Sequence, residues 1–410
     1  MPVRLLSTGS NGANQLGHSG REDTASFQPC LTPLGLTAVG DLAFGANHTV
    51  GLFRTTDEAD SCWQVWGCGD GQLGQLGDGW TQTDDGFRCL TLPLPPVVGS
   101  WVPTHVACSW TTSFVAFARA PSSPSSTTAT SLVLALGSND FSELGSGIRG
   151  SIPLTRQHWH VFDAEAVGDL QAGPRHVMLV LRGGDDANWR VLGWGAARHG
   201  QLARQAERPT GEEDGQLSTL KHPVTTDTPS LVLYAGDPHV EIDQAPVVAL
   251  GFAHSVLSFS ASGTVIRLGG ALTNAGLHEP PPAPLAAPVQ STWHHNVYRL
   301  PNGRTAAFGR PSALTAGESK RVVTLGADES VVVDIQLLAT GSEHVVALTQ
   351  AGTVWAWGWN EHGNLGDGST VDGTNPKCVW PPAKDVGPGG RPLAVWAGCS
   401  TSWVLVEQGD

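Results

Sequence analysis

Two apolar texts alternate along the chain. In the first, a short apolar strand ends in an aromatic or apolar residue plus Gly, and a Leu follows about seven residues later. Clear copies occupy 6–17, 65–74, 136–145, 191–202 and 355–366, and fainter ones begin near Val265 and Arg304. In the second text, two or three apolar residues precede Gly-x-x-His, which opens another apolar strand. Gly45 and His48, Gly173 and His176, Gly251 and His254, and Gly341 and His344 keep it in full. Ser109 and Thr112, Thr292 and His295, and Gly398 and Thr401 hold the Gly and His places of three further copies.

Between the texts lies a hairpin signal, in which Ala351-Gly352 separates two alternating runs; Ser262-Gly263 repeats it. Each unit supplies several short strands that cannot bury both faces alone, so neighbouring units must stack. The pattern predicts an all-β, seven-bladed β-propeller of four-stranded blades. The start of the chain, from Arg4 to Thr8, matches the second hairpin strand of a unit, and its end, from Ser402 to Val406, matches a first hairpin strand. The amino-terminal strand is therefore expected to complete the last blade and close the ring, removing an exposed edge.

A length of 410 residues admits two or three average domains, but repetition lets one closed body use all of it. We expect a single propeller over 1–410, with surface-loop insertions at 119–131, 204–229 and 278–288, which are rich in Pro, Ser, Thr or charge. The 51 glycines and 15 tryptophans suit short strands joined by tight turns. A net charge of −14 speaks against direct binding to a phosphate backbone and makes a basic partner the simpler expectation. Seven cysteines without C-x-x-C spacing read as reduced core thiols. No signal segment or membrane-length apolar run is visible, so cytoplasm or nucleus is expected and no membrane partner.

These residues resemble the regulator of chromosome condensation repeat family over 3–407. Within it, a strand running directly into Gly9-Ser10-Asn11-Gly12 is most similar to the fungal alpha-tubulin suppressor type. That resemblance implies a non-enzymatic cytosolic scaffold that pairs as a heterodimer with a small zinc-ribbon protein of diphthamide synthesis. It also implies support of Elongator-dependent tRNA wobble-uridine modification, with Elongator a further partner. The alternative is a guanine-nucleotide exchange factor whose partner is a small GTPase.

Candidate chemistry is sparse. Gly69-Asp-Gly71-Gln-Leu-Gly74 fits a dinucleotide fingerprint but copies the repeat turn, with no helix period after it. His158 and His160 lack a third metal donor, and no nucleophile, base and acid assemble; no catalytic residue, metal or cofactor is expected. The repeat histidines read as structural. The middle positions of the Gly-x-x-His turns are free of the repeat's own demands and share one face. Asn47, Trp110, Arg175, Phe252, Trp293, His294 and Glu343 are accordingly the candidate partner-binding residues. Trp110, Phe252 and Trp293 occupy one repeat position and read either as docking anchors or as a plug of the central channel. Burying an indole removes ~150 to 250 Å², or roughly 4 to 6 kcal/mol at ~25 cal/mol per Å².

Overall fold

The computed structural model describes residues 2–56, 62–80, 86–93, 95–120, 129–148, 156–184, 188–203, 223–237, 244–259, 262–269, 288–300, 304–326, 333–381 and 390–408. Seven antiparallel sheets make the blades of a propeller, and no helix occurs among the described residues. Blade 1 consists of Leu36–Phe44, His48–Thr55, Gln64–Gly69 and Arg88–Cys89, numbered from the axis outward. Blade 2 is Trp101–Cys108, Thr112–Arg119, Ala129–Gly137 and Gln157–Asp163; blade 3 is Ala166–Ala172, His176–Arg182, Trp189–Ala196 and Thr225–Tyr234. Blade 4 shows three strands among the described residues, Val247–Leu250, Ser255–Phe259 and Thr264–Leu268. Blade 5 is Gln290–Ser291, His295–Arg299, Arg304–Gly309 and Lys320–Thr324; blade 6 is Ile335–Thr340, His344–Thr349, Val354–Gly358 and Gly373–Trp380.

Blade 7 joins the two ends of the chain, in the order Pro392–Ala397, Thr401–Glu407, Val3–Gly9, Thr24–Pro29. Leu5 pairs with Leu405, Leu6 with Val404 and Thr8 with Ser402, so the closure expected from the sequence is present. The period-two pleat then divides the strand's work. Leu5 enters the cluster between blades 7 and 1 with Phe53, Phe87 and Trp403, whereas Leu6 enters the one between blades 6 and 7 with Val346, Val354 and Trp380.

The core is not single. Seven apolar clusters occur, one in each seam between adjacent blades. Trp194 and Trp357 are fully buried there as their strand positions predict, but Trp66, Trp355 and Trp396 are only half-buried and pack along cluster edges. Trp189, Trp380 and Trp403 are the further buried indoles.

Other expectations need correction. Cys30, Cys68 and Cys108 are core residues, but Cys62, Cys89 and Cys378 are exposed, because they fall on strand ends and outer strands rather than in the seams. Most of the expected insertions 119–131, 204–229 and 278–288 lies outside the described residues. At 129–131 and 225–229, however, the chain is strand: Ser131 pairs with Phe162, and Thr225 and Thr226 pair with Ala196 and Gly195. Thr and Ser suit the outer strand at 225–229, where one side meets solvent, while on the third strand of blade 2 the buried Ser131 Oγ donates to the Glu165 carbonyl at 2.7 Å.

Since Leu5 and Leu6 serve different seams, Leu5→Ala and Leu6→Ala should each cost ~2 to 5 kcal/mol. Their effects in denaturant unfolding should be nearly additive. Val224→Ala, at an exposed position, should change stability by less than ~0.5 kcal/mol. Equal, small losses at all three positions would exclude the closing strand from the core.

Candidate protein-docking face

Each blade's first and third strands end on the same face, which carries an inner ring of Gly-x-x-His turns and an outer ring of loops following the third strands. The glycine opens the turn because the imidazole lies over it: a Cβ on Gly45, Gly251 or Gly341 would overlap the ring of His48, His254 or His344. The histidine then crosses to the next blade. His48 Nε2 lies 2.9 Å from Ser113 Oγ, His176 Nε2 3.0 Å from Ser255 Oγ, His254 Nε2 3.1 Å from Asn296 Oδ1 and His344 Nε2 3.0 Å from Ser402 Oγ. Ser255 and Ser402 donate their hydroxyl protons to the carbonyls of Gln201 and Asn364, so His176 and His344 must carry hydrogen on Nε2. Burial holds these imidazoles neutral, with pKa values pushed down to about 3 for His48 and His254 and about 4 for His176 and His344.

Backbone bonds join the turns to one another. Ala46 N–H donates to Trp110 O at 2.9 Å, Trp110 N–H to Pro174 O at 3.1 Å, Phe252 N–H to Trp293 O at 2.9 Å, Trp293 N–H to Ser342 O at 2.8 Å and Ser342 N–H to Gly398 O at 3.2 Å. Pro174 has no N–H to give to blade 4. The residue before each histidine is fixed as well: the carbonyls of Asn47, Thr111, Arg175, His294, Glu343 and Ser400 each accept an N–H from the loop after the third strand. The third strand ends in a glycine at positive φ in six blades, for instance +99° at Gly69, because a side chain there would strike that same carbonyl. The N–H groups of the Gly69–Gly74 turn are taken up within the protein, Asp70 N–H donating to Asn47 O at 2.8 Å, Leu73 N–H to Gln75 Oε1 at 2.9 Å and Gly74 N–H to Gly71 O at 2.9 Å, and no helix follows.

The first strands enclose an axial cavity of about 360 Å³, lined by Asp41, Val106, Gln171, Val248, Leu338 and Val395 among others, with Trp110 and Trp293 at its mouth. From blades 2, 4 and 5, Trp110, Phe252 and Trp293 meet over the axis with ring centroids 5.8, 6.0 and 6.2 Å apart. They roof the channel, yet each stays half-exposed. The Arg175 guanidinium carbon lies 4.6 Å above Trp110, 5.0 Å from the centre of Phe252 and 4.3 Å from that of Phe141. On the other side His294 stacks on Phe252 at 6.1 Å, and its Nδ1 is 2.8 Å from Glu343 Oε1. That hydrogen bond holds the Glu343 carboxyl below its ordinary pKa.

Six of the seven candidate residues thus form one contiguous group. Asn47 does not join it: its side chain is exposed, and its carbonyl accepts Asp70 N–H at 2.8 Å. Phe141 belongs to the group and was missed, because it comes from the outer loop of blade 2. In that loop Glu143 replaces the Gln found at the equivalent positions Gln15, Gln75 and Gln201, and accepts the Phe141 N–H at 2.7 Å as their amides do for their own loops. Burial pushes its carboxyl up to about 7. His158 and His160 touch, with ring centroids 4.7 Å apart, but no cluster of three metal-ligating side chains exists among the described residues.

The architecture defines a β-propeller of seven blades closed by pairing of its two ends. The chain carries repeats of the regulator of chromosome condensation type: models of the regulator of chromosome condensation (RCC1) repeat match residues 335–364 and 351–405. It is 27% identical to an RCC1 repeat-containing protein of Schizosaccharomyces pombe, covering 98% of this chain and 99% of that one. It is 26% identical to the secretion-regulating guanine nucleotide exchange factor of Bos taurus, over 92% and 78% of the two chains. Among solved structures, human WBSCR16 superposes with a TM-score of 0.74 at 17% identity, covering 100% of both chains. Prp20p of Saccharomyces cerevisiae does so with 0.66 at 18%, covering 100% of this chain and 92% of that one.

The buried histidines set a pH dependence. Their folded pKa values lie below the ordinary 6.5, so their contribution to stability is complete above that pH and is lost as pH falls toward about 4. Asp41 and Glu143, pushed up to about 7 by burial, act oppositely: they weaken the fold as pH rises from their ordinary values to about 7, offsetting two histidines over the same range. The histidines are the more numerous. Unfolding free energy should therefore fall between pH 6.5 and pH 4.5 by ~1.4 kcal/mol per pH unit for each such histidine in excess of the two carboxyls. His176→Gln should reduce that slope by about one proton, and a flat profile would contradict the neutral hub.

Proposed function

We propose that the chain is a non-enzymatic adaptor, a rigid disc whose Gly-x-x-His face holds a small protein partner. The observation that carries this reading is the half-exposed group of Trp110, Phe252 and Trp293 with Arg175 at the centre of that face. Rigid aromatics with an arginine beside them supply most of the binding energy in typical protein interfaces. Resemblance to the fungal alpha-tubulin suppressor type makes the partner a small zinc-ribbon protein of diphthamide synthesis. The adaptor would then act in diphthamide formation and Elongator-dependent wobble-uridine modification, in the cytoplasm and nucleus.

A second reading, exchange on a small GTPase, is favoured by the bovine relative named as an exchange factor and by Prp20p, whose structure was reported with its binding to Gsp1p and histones. Against it, of the positions immediately before the repeat histidines only Arg175, His294 and Glu343 carry a charged or titratable side chain, and Glu343 is already paired with His294.

Pull-down from lysate with immobilised protein separates the two. We expect recovery of a small zinc-binding protein, reduced at least tenfold by Trp110→Ala or Trp293→Ala, and no acceleration of labelled-nucleotide release from a panel of small GTPases. Recovery unaffected by either substitution would remove this face from the function, and accelerated release would install the exchange reading.

A further inference from the structure

Arg175 is held in an unusual state. Rings of Trp110, Phe141 and Phe252 flank its guanidinium, while no hydrogen bond or ion pair reaches it among the described residues, and its Nε is buried without a partner. Glu343 is engaged by His294, and Glu143 is buried with its carboxyl turned to the Phe141 amide. The buried, unpartnered Nε costs free energy, while the terminal N–H groups of this half-buried guanidinium remain open to an acceptor.

Farther out on the same sector lie Arg198, His199 and Arg310, all exposed. They are close enough that Arg198 and Arg310 lower the His199 pKa, after burial, and Arg198 Nε sits 3.2 Å from His199 Nε2. Arg198 and Arg310 make no ion pair among the described residues, although Glu343 feels the charge of Arg310 and Glu143 that of Arg175; Asp227 is taken up by Ser142 and Thr225, and Glu318 is exposed. Across the face, on blades 6, 7 and 1, the loops carry Asp23, Glu361 and Asp372 instead.

We propose that the sector of blades 3 to 5 binds an acidic segment of a partner protein, one carboxylate seated in the edge of Arg175 beside the aromatic roof and neighbouring carboxylates on Arg198 and Arg310. This rests on the reading of the face as a docking surface and names the chemistry of what docks. The net charge of −14 does not oppose it, because screening limits an exposed charge to about 10 Å at 0.1 M salt, so a short segment meets the local cations. A long phosphate polymer would instead cross the acidic sector as well.

The test is fluorescence anisotropy with a fluorescein-labelled, capped peptide Glu-Asp-Phe-Glu-Asp-Glu, its Gln and Asn isostere, and a short oligouridylate. We expect the acidic peptide to bind at least tenfold more tightly than the isostere and the oligouridylate. Arg175→Lys, which keeps charge but loses the fork, should weaken it several-fold, and the exposed double variant Arg198→Glu/Arg310→Glu at least tenfold, with unchanged circular dichroism. Equal binding of peptide and isostere, or indifference to the double variant, would overturn the proposal. Preferential binding of oligouridylate that the double variant abolishes would replace it with a nucleic-acid surface. If the partner recovered in pull-down is lost in Trp110→Ala but retained in Arg198→Glu/Arg310→Glu, the docking face stands and the acidic-segment proposal falls.

Discussion

A small twisted sheet with two apolar faces cannot be stable by itself in water, since neither face has anything to cover it. Here every face is covered by the neighbouring blade, and the seven seam clusters exist only while the circle is complete. Opening one seam would expose two faces at once. For that reason the pairing of Val3–Gly9 with Thr401–Glu407 is worth more than one more strand: it supplies Leu5 to one seam and Leu6 to the next and so completes the circle on both sides.

The hub adds orientation to this apolar closure. Hydrophobic contact alone would let blades slide, whereas His48, His176, His254 and His344 each need a serine or asparagine on the next blade, in a place dry enough to keep them neutral. The glycine beneath each imidazole and the glycine ending each third strand follow from the same geometry, because each marks a place where another atom already stands.

What the sequence made legible follows from this. Seam and hub positions recur in every blade, so periodicity exposed the ring, its closure and the structural histidines. The group over the axis was half legible: the shared repeat position announced Trp110, Phe252 and Trp293 and offered a plug of the channel as one reading, but the ring-to-ring contacts and the Arg175 stacking depend on how narrow seven inner strands leave the channel. Phe141 and the Arg198, His199 and Arg310 cluster were invisible, because loops far apart in the chain bring them together and no period links them. The strand at Thr225 was masked by its Thr and Pro content, since an outer strand needs only one covered side.

One departure from periodicity ties hub and docking face together. At the seam between blades 3 and 4 the turn-to-turn backbone bond cannot form, because Pro174 offers no N–H. At that same seam Arg175 of blade 3 lies against Phe252 of blade 4 and Trp110 of blade 2, so side-chain stacking spans the junction the backbone leaves open. At the hub, blades 3 and 4 are therefore held by the His176–Ser255 hydrogen bond and by this stacked guanidinium.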